Sequence, residues 1–175
     1  MLDIIDLKAY FSSPDGLVKA VNSVDLQIKE SERLGLIGET GCGKTVLGMS
    51  IIRLLPSSAG VEGQIIYNGQ DLLHLTEEEM RQLRGREIAM ILQNPTTSLN
   101  PVLKVGDQIA EVISLHKGLG KKEAKARAVQ MLEAAMIPEA ERRADQYPHE
   151  LSGGMKERVM IAMALASHPS FVIAD

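Results

Sequence analysis

The stretch "GETGCGKT", Gly38 to Thr45, carries the residue types and spacing that point most directly to chemistry. It fits G-x-x-x-x-G-K-[ST] and lies between a short apolar run, "ERLGLIG", and a helical pattern from Lys44 to Leu55 that stops before Pro56. Glycines let such a loop curl so that successive backbone N–H groups point inward, and a helix starting near Lys44 adds its positive N-terminal end. Gly38, Glu39, Thr40, Gly41, Cys42, Gly43, Lys44, Thr45 and Val46 therefore make up an expected polyanion cradle. Lys44 can reach β- and γ-phosphate oxygens, and the Thr45 hydroxyl can ligate Mg²⁺. The expected ligand is a nucleotide with Mg²⁺, and the loop alone does not choose between a kinase, a GTPase, a motor and a transporter ATPase. Cys42 stands beside Lys44 and a helix start, a setting that suits a reactive thiol, although a small residue filling a turn explains it equally well.

Two further stretches belong with this loop. "FVIAD" reads as a buried strand that delivers Asp175 to its C-terminal tip, where a Mg²⁺-side carboxylate is needed. "LSGGM", Leu151 to Met155, sets a serine and two glycines at a helix N-terminus, which makes a second anion site. Two anion sites separated by a helical block make sense if each holds half of a nucleotide's surroundings.

The elements that must position these residues follow from local pattern. "LDIIDLKAYF" and "LVKAVNSVDLQI" flank the turn "SSPDG" and read as two strands of a hairpin or meander. "ERLGLIG" reads as a short buried strand breaking at Gly38, and "GQIIYNGQDL" as a strand with a turn at Asn68-Gly69. Thr76 and Glu79 form a capping box for the helix "EEEMRQL", and "EIAMIL" is a buried strand ending at Gln93. From Pro95 to about Ala166 the periodicity is helical, with Ala124, Ala128, Met131, Leu132 and Ala135 on one core-facing stripe. The expected fold class is α/β, a P-loop core with an N-terminal antiparallel β-subdomain and an inserted helical subdomain.

Composition limits the function classes. Hydrophobic residues make up 45% and charged residues 24% of the 175 residues, the profile of a globular domain, with aromatics at only 3%. A net charge of −4 argues against a general nucleic-acid binder. The cluster of Lys117, Lys121, Lys122, Lys125 and Arg127 is interrupted by Glu123 and reads as a solvated helix face. Cys42 is the sole cysteine, so there is no disulfide framework, and no apolar run approaches the roughly 20 residues of a membrane helix. Any membrane role is expected to be indirect.

Taken together, these motifs resemble the ATP-binding subunits of ABC transporters. "GETGCGKT" looks like Walker A, "LQN" with Gln93 like the Q-loop, "LSGGM" like the signature motif and "FVIAD" like the Walker B strand. "QNPTTSLNPVLKVGDQI", "GGMKERVMIAMAL" and "LLHLTEEEMRQLRGREIAMIL" are similar to the first-type ATPase subunits of oligopeptide, dipeptide and nickel importers. Met155 departs from the commoner LSGGQ but is similar to this subfamily, whereas Lys156-Glu157 is a less usual continuation.

The resemblance implies an ATPase that couples ATP hydrolysis to uptake through a membrane permease at the cytoplasmic face of the membrane. It implies Lys44, Gln93 and Asp175 as catalytic residues, with Thr45, Gln93 and Asp175 around Mg²⁺. Leu151, Ser152, Gly153, Gly154 and Met155 would face ATP held by a second ABC ATPase subunit, in a homo- or heterodimer. An extracytoplasmic substrate-binding protein is an indirect partner, and no nucleic acid is involved. Tyr10 is the first choice for stacking on adenine, with Phe11 beside it.

Residues 1–94 would hold the β-subdomain and the first part of the core. Residues 95–158 would form the helical signature subdomain, and 159–175 the return to the core. The family's catalytic glutamate, D-loop and switch histidine follow the Walker B aspartate, and His74, His116, His149 and His168 all precede it. The chain is therefore expected to be C-terminally truncated, binding Mg-ATP but hydrolysing it weakly. The alternatives are a non-transport ABC ATPase and a non-hydrolysing nucleotide-binding fragment.

Overall fold

A computed structural model describes residues 1–14, 16–94 and 98–175. The turn residue Asp15, the Pro95 start of the expected helical block and the "PTT" of the importer-like stretch lie outside the described residues. The chain divides into two compact units, Met1–Arg81 and Gln82–Asp175. Residues 82–94 thus group with the helical block, a different division from one placed at residue 94.

In the first unit, β1 (Leu2–Ser13) and β2 (Gly16–Ile28) form the expected antiparallel pair. With β3 (Ala59–Tyr67) and β4 (Gln70–Asp71) they make a sheet in the order β2-β1-β3-β4. Leu2, Ile4, Leu7 and Ala9 of β1 are buried with Ile65 and Tyr67 of β3. Asn68 (φ 49°) and Gly69 (φ 84°) close the β3–β4 hairpin in the left-handed region, as a two-residue turn requires. Helix α1 (Lys44–Ile51) follows the glycine loop and buries Leu47, Gly48, Ser50 and Ile51.

At α2 (Glu77–Leu83) the capping box is present: Thr76 N–H donates to Glu79 at 2.7 Å, and Glu79 N–H donates to the Thr76 hydroxyl at 3.3 Å. The hydrogen bonds from the Thr76 hydroxyl and N–H hold the Glu79 carboxyl below its ordinary pKa.

One expectation fails. The run Glu32–Gly38 is irregular, and Leu34, Leu36 and Ile37 are exposed, Ile37 by 97%. A short apolar run becomes a strand only when neighbours supply a ladder. Among the described residues neither sheet includes this run.

In the second unit, β5 (Ile88–Ile91) and β6 (Phe171–Ala174) pair in parallel from Ile88↔Phe171 to Ile91↔Ala174. Between them lie α3 (Val105–Lys117), α4 (Lys121–Ala134), the short α5 (Ala140–Ala144) and α6 (Gly153–Leu165). Val105, Ile109 and Ile113 of α3 pack with Ala124, Ala128, Met131 and Leu132 of α4 and with Val159 and Ala162 of α6. Ala135 lies partly buried at the edge of this aliphatic core. No helix among the described residues is long and apolar enough to cross a membrane.

Candidate nucleotide site

The glycine loop is held from outside by a β-bulge. Pairing of β1 with β2 steps from Ala9↔Val21 to Tyr10↔Lys19, so Ala20 has no partner across the ladder. The freed Ala20 carbonyl abuts Gly43, the N-cap of α1, where a Cβ would lie 2.1 Å from that oxygen. Gly43 also has φ +98° and Gly41 φ +83°, conformations that L side chains rarely adopt. At the loop's other end, a Cβ on Gly38 would meet Cys42 Sγ at 2.6 Å. Three glycines of the motif thus answer to local geometry.

Lys44 closes the cradle on itself. Its ammonium donates to the Gly38 and Glu39 carbonyls at 2.7 Å each and lies 3.5 Å from Cys42 Sγ. The ammonium is thus satisfied by oxygen acceptors of the loop's own backbone. Glu39, Thr40, Gly41, Cys42 and Thr45 are exposed, while Gly43, Lys44 and Val46 are half-buried.

The two aromatic candidates have different surroundings. The Tyr10 ring covers Gly60, where a Cβ would be 2.1 Å from its Cε2, and its hydroxyl donates to Glu62 at 2.6 Å. That bond raises the phenol's pKa above its ordinary value. Tyr10 is thereby committed to β3. Phe11 shares a face of β1 with Ala9, whose cross-strand partner Val21 packs toward Gly43. Both rings stand on β1 beside the bulge, Tyr10 engaged with β3 and Phe11 on the face of Ala9.

In the second unit, Gln93 and Asp175 emerge beyond the C-terminal ends of the adjacent strands β5 and β6. The ladder continues to the acid itself, since Asp175 N–H donates to the Ile91 carbonyl at 3.0 Å. Both side chains are exposed at one sheet edge, the usual place for ligand-facing groups in a parallel sheet.

The signature stretch is built differently. Leu151 is buried in the helical core, and Ser152 is the N-cap of α6, its hydroxyl accepting from Met155 N–H at 3.4 Å. Gly153 and Gly154 are exposed, and a Cβ on either would meet none of the described residues within 4 Å.

Sequence reasoning missed Gln108. This buried amide accepts from Asn100 N–H at 2.9 Å and donates to the Asn100 and Leu103 carbonyls at 3.0 Å. It fastens the loop after the Q-loop region to α3 and leaves Val102 and Leu103 on the surface. The available signal was a glutamine three residues after Val105, on the apolar stripe.

The glycine loop, the carboxylate and amide at a parallel-sheet edge and the serine-glycine helix start all lie within the stretch that one family model covers. The family described as ABC transporter matches residues 21–175. The chain belongs to the ABC transporter family. It is 46% identical over 175 residues to the oligopeptide transport ATP-binding protein OppD of Salmonella typhimurium, covering 100% of this chain and 52% of that protein. It is 47% identical over 177 residues to a probable peptide ABC transporter ATP-binding protein, y4tR, of Sinorhizobium fredii, covering 100% and 53%.

Among solved structures, a dimeric post-hydrolysis state of the ATP-binding cassette MJ0796 bound to ADP and Pi matches with a TM-score of 0.89 at 26% identity. That match covers 100% of this chain and 73% of that one. The fold is accordingly that of an ABC ATPase cassette. The chain spans about half the length of the curated relatives it matches.

Proposed function

We propose that this chain is the ATP-binding part of a peptide importer subunit, coupling ATP binding and hydrolysis to uptake through a membrane permease. The observation that carries this reading is the Lys44 ammonium held at the centre of a glycine loop docked on the Ala20 bulge. In that setting Gly38 to Val46 bind the phosphates, and Tyr10, or Phe11 beside it, flanks the base.

Thr45, Gln93 and Asp175 offer a hydroxyl, an amide and a carboxylate, the hard oxygen donors that suit Mg²⁺. When bound, Mg²⁺ supplies charge neutralisation at the β- and γ-phosphate oxygens. Lys44 contributes a second positive charge there, and Gln93 links the site to the helical block.

Leu151 to Met155 then serve ATP on a second subunit. The bare backbone at Gly153 and Gly154 supports this reading, because none of the described residues comes within 4 Å of where a Cβ on either would lie. Val102 and Leu103, fastened by Gln108, give the helical block an apolar surface for the permease at the cytoplasmic face of the membrane. Peptide is favoured as cargo because the relatives' names specify peptide, and an extracytoplasmic binding protein would select it. On this reading the functional boundaries remain 1–94, 95–158 and 159–175.

Equilibrium binding of Mg-ATP to the purified chain tests the reading. Binding that Lys44→Ala removes is expected, and undiminished binding by that variant would overturn it.

A further inference from the structure

Helix α6 begins weakly. Its first two residues are Gly153 and Gly154, poor helix formers, and no acidic side chain stands in its first turn. The Ser152 cap bond is long, at 3.4 Å. Burial of Leu151 and Val159 fixes where the helix lies, but apolar contacts tolerate rotation about the helix axis better than a directional bond does.

A directional bond is present one turn further on. Arg158 donates from Nη1 to the Met136 carbonyl at 2.7 Å, tying α6 to the end of α4. That end is a Schellman cap: Ile137 N–H bonds the Leu132 carbonyl at 3.0 Å, and Met136 N–H bonds that of Glu133 at 2.8 Å. Glycine normally occupies the left-handed position of this motif, yet here it is Met136 at φ +58°. Such a conformation persists where the surroundings hold it. Arg158 lies four residues after Gly154 and three after Met155, so it shares their face of α6.

We infer that Arg158 is a positioning residue, which latches the signature helix to the strained Met136 cap and so sets the direction in which the Gly153 and Gly154 amides point. The inference rests on the proposed role of the signature stretch, but the latch can be tested apart from that role. Amide hydrogen exchange on the chain, with Arg158→Ala, is expected to speed at residues 153–156 by about tenfold. Exchange in α1 and Mg-ATP affinity should stay unchanged.

Met136→Gly added to Arg158→Ala relaxes the cap, so thermal stability and protection at 133–137 should return while 153–156 stay fast. If the double variant also restores 153–156, Arg158 acts only through cap stability and the inference fails. It fails equally if Arg158→Ala leaves those amides unchanged. Should Arg158→Ala not fold, Arg158→Lys keeps the charge with a single-point donor and is expected to show an intermediate rise; no rise would overturn the latch.

ATP-driven self-association, measured by sedimentation, should weaken about tenfold in Arg158→Ala. Absence of association in the unaltered chain would count against the partner-facing reading of "LSGGM" and leave the exchange result to judge the latch.

Discussion

Two glycine-rich helix starts sit in this chain, and they use glycine for opposite reasons. At the start of α1, Gly43 is forced by its own chain, since a side chain would collide with the Ala20 carbonyl and φ is +98°. At the start of α6, a Cβ on Gly153 or Gly154 would meet none of the described residues within 4 Å, and neither has a positive φ. The first site is folded inward around its own lysine, whereas the second has open space beside it among the described residues. A glycine whose absence of side chain serves no internal contact is suited to close approach by something external.

The strongest way to break this contrast is Gly43→Ala. The substitution must move either the bulge or the loop, and overpacking together with a disfavoured φ predicts a loss of roughly 2–4 kcal/mol in the first unit. Calorimetry would read it, and Mg-ATP binding should vanish with it. A well-folded Gly43→Ala variant that binds ATP normally would show that the loop is less constrained than its geometry indicates.

Next in size is Lys44→Ala, which removes the charge but none of the steric fit. A folded protein with ATP affinity reduced on the order of 100-fold is expected, as for loss of charge-assisted bonds. Isothermal titration would measure it. Bulky alkylation at Cys42, 3.5 Å from the same ammonium, should block nucleotide in parallel, and bound ATP should slow the alkylation.

These outcomes also bear on what could be read before any coordinates. The glycine loop and the helix start after it were legible because their pattern is local: eight consecutive residues carry both the turn and the charge. The capping box at Thr76 and the Asn68-Gly69 turn were legible for the same reason. What escaped depends on residues far apart in sequence. The bulge at Ala20, which holds the loop and separates the environments of Tyr10 and Phe11, arises from the register of β1 on β2 and β3. "ERLGLIG" has the pattern of a strand, but a strand also needs ladder partners, and pattern alone does not supply them. The parallel pairing that brings Gln93 and Asp175 to one edge joins strands separated by the entire helical block.

At the second helix start the expected sign reverses. Gly154→Ala should leave the second unit as stable or raise its stability by about 0.5–1 kcal/mol, since alanine is the better helix former and no described residue obstructs its methyl. Mg-ATP binding to the loop should not change. If the space belongs to a partner, ATP-driven association should nevertheless fall. Unaltered association would remove the external reason for the glycine and leave the contrast without meaning.

Ser152→Ala is the smallest and most discriminating change. An N-cap serine replaced by alanine commonly costs about 1 kcal/mol, but this cap bond is 3.4 Å long, so a cost nearer 0.5 kcal/mol is expected on thermal unfolding. A serine kept only to cap α6 would show that small loss and nothing else. A serine whose hydroxyl also faces a nucleotide on a second subunit would show a drop in ATP-driven association well beyond about 0.5 kcal/mol, with ATP affinity at the glycine loop unchanged. Comparing the two magnitudes in one variant separates capping from recognition, because the same hydroxyl is removed in both measurements and only its neighbour differs.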